Sequence, residues 1–435
     1  MSYLRSVWAS GRQAIRDPLL RNGYALLANT VCTALLGVCY WVVAAQLFDP
    51  VQIGRAAAAI TTMSLLASLG GLNLSGALAF LLPQLGSSAK AYVLRSYVAT
   101  TAFSLVLVLP LGLLSLFEVA VPGLPDLRRL DLLLLVVAVP LWTVFTLQDG
   151  VLTGLRHATW VLVENSAFGV TKLLLLPVAA ILGWSSGVFL TWVIPLVAAV
   201  LVVNIVMFLR VLPAVRERPQ RLAFERRQVL QFLGHNYLGS LLYQAYFNLL
   251  PVLVLLQLGA RANGLFYVAW TLASSLDLLS RSLAAALTVE GSTNPELLPA
   301  LTRQVVMRLY ALLTPIVLFT LAAAPMILLV YGKQYADGSS DVLRLLVVGA
   351  LPRTLLIVAQ SVARAQGNAR TLVLTEAVTC ALVLTISTTL LPELGATAVG
   401  VAWIVGNVAV LPLVLGPLLK VLRNKASSRS PVGSS

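Results

Sequence analysis

Apolar residues fall in long runs along this chain, with polar and basic residues gathered in the short gaps between them. The runs are roughly 20 residues or longer and lack the two-residue alternation of a half-buried strand, which predicts helices able to cross a bilayer. The predicted spans are 22–47, 52–82, 92–119, 131–153, 159–182, 187–210, 228–257, 263–289, 304–330, 340–365, 370–391 and 396–421. A bilayer interior supplies no water to backbone groups, so only helices or closed barrels span it, and the pattern excludes the barrel. Several runs exceed bilayer thickness, and Pro110, Pro140, Pro177, Pro251, Pro315 and Pro352 inside them mark expected kinks.

Composition agrees with lipid as the solvent: 59% of the 435 residues are apolar and 11% charged, with a mean hydropathy of +0.91. The net charge of +14 is topological in origin rather than a sign of nucleic acid, because Lys and Arg accumulate in cytoplasmic loops. Assigning loops alternately puts roughly 21 basic residues on the side of the N-terminus and roughly 6 on the other, so both termini are expected in the cytoplasm of an inner or plasma membrane. Arg5, Arg12, Arg16 and Arg21 precede the first run. That run, at about 25 residues, is too long for a signal peptide and is read as a retained helix. Cys32, Cys39 and Cys380 lie in apolar runs and are expected to be packing residues.

The basic loop from Arg210 to Arg227, with Pro213 and Pro219, separates six spans from six. The expected organisation is a six-helix lobe over 1–210 with a short N-terminal surface segment, a basic linker over 211–227, a second six-helix lobe over 228–422 and a disordered tail over 423–435. Weak internal similarity supports two repeats. Gln46 to Gly54 parallels Leu256 to Gly264, and Thr159-Trp160-Val161-Leu162-Val163-Glu164 parallels Thr371-Leu372-Val373-Leu374-Thr375-Glu376. Corresponding spans share an orientation, so the lobes are expected to be related by a pseudo-two-fold axis along the membrane normal, with a site between them. No loop exceeds about 20 residues, which leaves no room for an extramembrane catalytic domain. The chain also lacks a P-loop, a metal-spaced His/Cys/Asp cluster and G-x-S-x-G, so neither an enzyme nor a cofactor is expected.

Polar residues within spans face protein or a water-filled cavity. Stripes at helical spacing occur in the first two spans of each half: Asn22, Asn29, Thr33 and Tyr40; Thr61, Ser68 and Ser75; Tyr237, Ser240, Gln244 and Asn248; and Ser274, Asp277, Arg281 and Thr288. Each hydroxyl alone is explained by bonds within the helix bundle, while the four stripes together point to a cavity. Three cations, Lys172, Arg281 and Arg353, lie deep in spans. Arginine holds phosphate oxygens through paired hydrogen bonds, so these are candidate contacts for an anionic headgroup. Asp277, four residues before Arg281, is placed to pair with it or to couple an ion. Asp149, Glu164 and Glu376 sit at span ends, where a structural role comes first and ion coupling second.

These features accompany a resemblance over nearly the whole chain, from Arg21-Asn22 to about residue 421. Leu47-Phe48-Asp49-Pro50-Val51-Gln52-Ile53-Gly54, Gly154-Leu155-Arg156, Val330-Tyr331-Gly332-Lys333-Gln334-Tyr335-Ala336 with Val342-Leu343-Arg344-Leu345-Leu346, and Ala365-Gln366-Gly367-Asn368 occur in order. The chain resembles the Wzx-like O-antigen and teichoic-acid flippases of the multidrug/oligosaccharidyl-lipid/polysaccharide exporter superfamily. The resemblance implies a V-shaped pair of lobes with spans 1, 2, 7 and 8 lining the cavity. It implies export of a polyprenyl-pyrophosphate-linked oligosaccharide by alternating access, with Arg281 the first candidate for the pyrophosphate. Polysaccharide polymerase and glycosyltransferases are the partners it implies. The alternatives are a cation-coupled multidrug antiporter using Asp277, a peptidoglycan lipid-precursor flippase, and a membrane enzyme acting on polyprenyl sugars.

Overall fold

The computed structural model describes residues 18–117, 129–215 and 226–423. The expected surface segment before Pro18, residues 216–225 of the basic linker and the tail after Arg423 lie outside them. All regular structure among the described residues is helical. The first helices are α1 (Pro18–Leu47), α2 (Pro50–Gly70), α3 (Leu74–Leu85), α4 (Ala89–Leu116), α5 (Arg129–Gly154), α6 (Ala158–Ile181) and α7 (Gly187–Val206). A π-turn, Met207–Val211, carries α7 into a last short helix, Leu212–Val215. The stretch Arg226–Thr293 contains one residue outside helical geometry, Gly259 (φ 84°, ψ 172°), which divides it into α8 (226–258) and α9 (260–293). Then follow α10 (Leu298–Leu329), α11 (Lys333–Ala365), α12 (Ala369–Leu394) and α13 (Thr397–Arg423).

Eleven helical segments are long and apolar enough to cross a membrane, with Tyr237–Thr293 counted as one of 57 residues. A straight helix of that length would measure about 85 Å at ~1.5 Å per residue, against a hydrocarbon core of ~30 Å. It doubles back instead: the Phe247 and Trp270 rings lie 4.9 Å apart, and Tyr243 on α8 donates to Asp277 on α9 at 2.8 Å. Only glycine adopts the Gly259 conformation without large strain, so a single residue makes the reversal. Counted this way, the described residues hold twelve segments long and apolar enough to cross.

The second of them differs from the continuous run expected over 52–82. Gly71 ends α2, and Leu72 (φ 49°) and Asn73 (φ 54°) take left-handed backbone before α3 begins. A non-glycine residue pays sterically for that conformation, asparagine less than leucine. The motif ahead of α2 has a local explanation: Asp49 accepts from the Val51 N–H at 2.8 Å, while Gln52 Oε1 accepts from the Asp49 N–H at 3.2 Å. With Pro50 opening the helix, this is a capping box.

The chain divides into two compact units, Met1–Leu233 and Gly234–Ser435. In unit 1, α4 packs on α5, α5 on α7, and α6 on α7; in unit 2 the corresponding pairs α10–α11, α11–α13 and α12–α13 pack in the same way. Small residues permit a close crossing in unit 1. Gly150 and Gly154 on α5 lie against the backbone of α3 at Ser75 and Ala79, and Ser75 donates to the Thr146 carbonyl at 2.9 Å. Large apolar side chains such as Leu35, Val106, Leu174, Ile181 and Phe319 point outward, as lipid-facing residues do. Cys39 is exposed among them, rather than packed inside as expected.

Candidate functional site

Unit 2 gathers four charges into one cluster. Asp277 and Arg281 come from α9, Arg353 from α11 and Glu376 from α12, with Tyr243 and Tyr246 from α8. Arg281 Nε donates to Asp277 Oδ2 at 2.7 Å, and Arg353 Nε donates to Asp277 Oδ1 at 3.3 Å. Arg353 Nη2 donates to Glu376 Oε1 at 3.0 Å. Glu376 also accepts from Gln360 and from Tyr246, each at 3.0 Å. Two carboxylates thus meet two guanidiniums, which is how charges survive in a low-dielectric interior. Arg353 is 1% exposed and both its carboxylate partners are internal, so its position is that of a clasp between α9, α11 and α12.

Arg281 differs from it: 26% of its side chain is exposed, and its guanidinium lies 3.7 Å above the Tyr243 ring. It lines a cavity of about 300 Å³ with Ala285, Thr288, Ile357, Ser361 and Arg364. Its Nη2 has no hydrogen-bond partner. Arg364 stands in the last turn of α11, and no carboxylate among the described residues bonds it. Since Asp277 and Glu376 already balance Arg281 and Arg353, Arg364 leaves this cavity positive. Two guanidiniums and two hydroxyls thus border one space, and guanidiniums are groups able to hold phosphate oxygens.

Unit 1 holds a different cavity, of about 250 Å³, at α1, α5, α6 and α7. Trp142, Phe145, Phe168 and Trp192 supply its aromatic walls, and Thr33, Asp149, Asn165 and Lys172 its polar groups. Lys172 is 7% exposed. Its ammonium sits 3.7 Å from the Trp192 ring centroid, 4.9 Å from that of Tyr40 and 5.2 Å from that of Phe168. Cation–π attraction to these faces holds it without a carboxylate. Asn165 Nδ2 donates to the two Asp149 oxygens at 3.3 and 3.4 Å, but no ion pair joins Asp149 to Lys172 among the described residues.

The two units are variants of one design, in a register the sequence alignment misses by one residue. Arg156 (φ 64°) and Gly367 (φ 72°) make the same left-handed turn. The next residues, His157 and Asn368, each donate to a carbonyl five positions back at 2.8 Å. This register pairs Glu376 with Asn165 rather than with Glu164, and Gln360 with Asp149. A one-residue shift turns a side chain by about 100° around the helix, which explains why Glu164 misses the Asp149–Asn165 pair. Both Glu164 oxygens are buried without a hydrogen-bond partner. Arg353 then matches Trp142, Trp403 matches Trp192, and Phe247 matches Leu36. Three of these counterparts, Phe247, Arg353 and Trp403, border a separate unit 2 space of about 10 Å³ whose other walls come from α9 and α11.

Of the polar stripes, Thr33 lines the unit 1 cavity, Ser274 and Asp277 the small unit 2 space, and Arg281 and Thr288 the cationic cavity. The Thr33, Thr61, Ser68 and Ser274 hydroxyls bond carbonyls of their own helices at 2.7–2.9 Å. Asn248 does the same to the Gln244 carbonyl at 2.8 Å, and the Asn29 carbonyl receives Thr33. Asn29, Thr61, Ser68, Gln244 and Asn248 line none of these three cavities. Sequence reasoning missed Arg364, Asn165, Trp142 and Trp192; a correct repeat register marks the last three as counterparts of Glu376, Arg353 and Trp403.

No family model matches the chain, and no curated protein matches it significantly. Solved structures do. The inward-facing conformation of a multidrug resistance MATE family transporter of the MOP superfamily matches with a TM-score of 0.65 at 15% identity, over 89% of this chain and 94% of that one. An outward-facing MATE transporter matches with a TM-score of 0.61 at 14% identity, over 94% and 97%. The lipid II flippase MurJ, in an inward closed conformation, matches with a TM-score of 0.69 at 12% identity, over 92% and 90%. The chain therefore has the all-helical, two-lobed, twelve-span fold of these MOP-superfamily carriers. They are transporters and flippases rather than enzymes.

Proposed function

We propose that this protein is a flippase of the Wzx-like kind. It carries a polyprenyl-pyrophosphate-linked oligosaccharide from the cytoplasmic to the outer leaflet of the cell membrane by alternating access, for surface polysaccharide synthesis beside glycosyltransferases and a polymerase. Both termini lie in the cytoplasm in this reading, which the basic-loop count supports. The observation that carries it is the cationic cavity lined by both Arg281 and Arg364. Asp277 and Tyr243 fix Arg281 before any ligand arrives, so its guanidinium is preorganised beside the cavity. Arg353 positions Asp277 and does not itself touch cargo.

Lipid II, the cargo named for one solved structure of this fold, carries the same pyrophosphate and is the first alternative. A multidrug antiporter is the second, favoured by the MATE folds. Against it, Asp277, the carboxylate that keeps this option open, already accepts from two arginines and a tyrosine.

The test is translocation in liposomes of two fluorescent carriers, a polyprenyl-pyrophosphate oligosaccharide and lipid II, with a cationic dye as the third arm. The wild type is expected to move the first, and Arg281→Ala combined with Arg364→Ala to slow it at least tenfold while the protein remains folded. Movement of lipid II alone reassigns the cargo. Movement of the dye alone replaces the flippase with the antiporter.

A further inference from the structure

We propose that the aromatic cavity of unit 1 is a binding site for a single uncharged pyranose ring. The inference goes beyond the anion site of unit 2, and rests on the flippase reading only for the source of the ring, the saccharide of the cargo.

The cavity is not a packing fault, because the same chain shows how that place is filled. In unit 2, Phe247, Arg353 and Glu376 stand where unit 1 has Leu36, Trp142 and Asn165, and the ion pair occupies the space: Arg353 and Glu376 are each 1% exposed and bonded to one another at 3.0 Å. Unit 1 keeps about 250 Å³ open and places Lys172 where unit 2 has the fully buried Val383. A buried ammonium in place of valine costs several kcal/mol in lipid surroundings unless something meets its donors. Here its neighbours are ring faces, so its three N–H groups lack the oxygen acceptors a polyol supplies.

The chemistry of the walls selects the guest. Lys172 and Asp149 line the space without an ion pair between them, so it offers one basic and one acidic group, which favours neither a phosphate nor an organic cation. An organic cation would meet the ammonium and a phosphate would meet the carboxylate. A lipid tail would leave both charges unsatisfied. The volume falls below the ~300–1,000 Å³ of drug-sized sites and corresponds to about eight waters at ~30 Å³ each. A pyranose has an apolar C–H face for Trp142 or Trp192 and a rim of hydroxyls that both donate and accept. Asp149 accepts, Asn165 does both, and Lys172 donates.

The experiment compares binding by the purified full-length protein of a polyprenyl pyrophosphate without sugar, the same carrier with its oligosaccharide, and free neutral, N-acetylated and uronic-acid monosaccharides, read by tryptophan fluorescence and by calorimetry. The wild type is expected to bind the glycosylated carrier about tenfold more tightly than the bare one, and to bind a neutral or N-acetylated sugar weakly. Asp149→Asn with Asn165→Ala is expected to abolish that increment, a change the size of a lost hydrogen bond to a charged group, and to leave the bare carrier unaffected. Trp192→Phe is expected to retain sugar binding that Trp192→Ala loses. Equal affinity for the two carriers with no free-sugar response, an increment that survives in the double variant, or preference for uronic acids overturns the site. If neither carrier binds but free sugar still responds through Asp149 and Asn165, the flippase reading fails and the sugar site stands.

Discussion

At the scale of single residues, the unit 2 cluster separates two arginines that look alike in the sequence. Arg353 is sealed between Asp277 and Glu376, whereas Arg281 keeps an edge toward a cavity. Removing one partner of a buried pair costs more than the pair contributes, because the other charge stays buried without compensation. Glu376→Ala is accordingly expected to destabilise unit 2 by about 3–5 kcal/mol, read as a lower midpoint in thermal unfolding of the detergent-solubilised protein. Arg281→Ala is expected to cost less, since Asp277 retains Arg353 and the Tyr243 hydroxyl. Equal losses from the two variants would mean that the cluster does not carry its charges as the geometry indicates.

At the scale of elements, two departures from regular helix do different work. Gly259 reverses the chain between α8 and α9 in a conformation only glycine adopts easily, which brings Tyr243 to Asp277. Gly259→Ala is expected to cost about 1–3 kcal/mol through backbone strain. It should also loosen the aromatic contact of Phe247 with Trp270, seen as faster hydrogen exchange at the hairpin. Native-like exchange would contradict the strain argument. The break between α2 and α3, by contrast, places Ser75 and Ala79 against Gly150 and Gly154. The prolines expected to mark kinks lie within α4, α5, α6, α8, α10 and α11, while the breaks fall at glycines and at Leu72-Asn73.

At the scale of the whole molecule, the two units reuse one arrangement for different ends. Unit 2 fills it with ions and tyrosines and places a cationic cavity beside it; unit 1 leaves it open and aromatic. Under the proposed function, a carrier built this way would read the charged head and the sugar of one cargo at separate places. Bare polyprenyl pyrophosphate in excess is therefore expected to compete with the oligosaccharide carrier for transport, and a hydrophobic cation such as tetraphenylphosphonium is not. The inverse pattern in the liposome assay would point to the drug antiporter.

The sequence by itself determined the solvent, the helical class and the number of membrane-length segments. Runs of apolar residues longer than a bilayer is thick have one solution, and Asp49-Pro50-Val51-Gln52 carries its capping chemistry locally. It also marked Lys172, Arg281 and Arg353, because an ionisable group inside a span is conspicuous wherever it points. What those cations do was decided by tertiary structure alone. Whether a guanidinium finds a carboxylate depends on helices distant in sequence: Arg353 reaches Glu376 across a turn and Asp277 from a different hairpin. Arg364 was passed over because an arginine at a helix end looks ordinary until a cavity is seen beside it. The repeat register was set by one left-handed turn in each unit, and a match of residue types cannot fix it to better than the single residue that turns a side chain by about 100°.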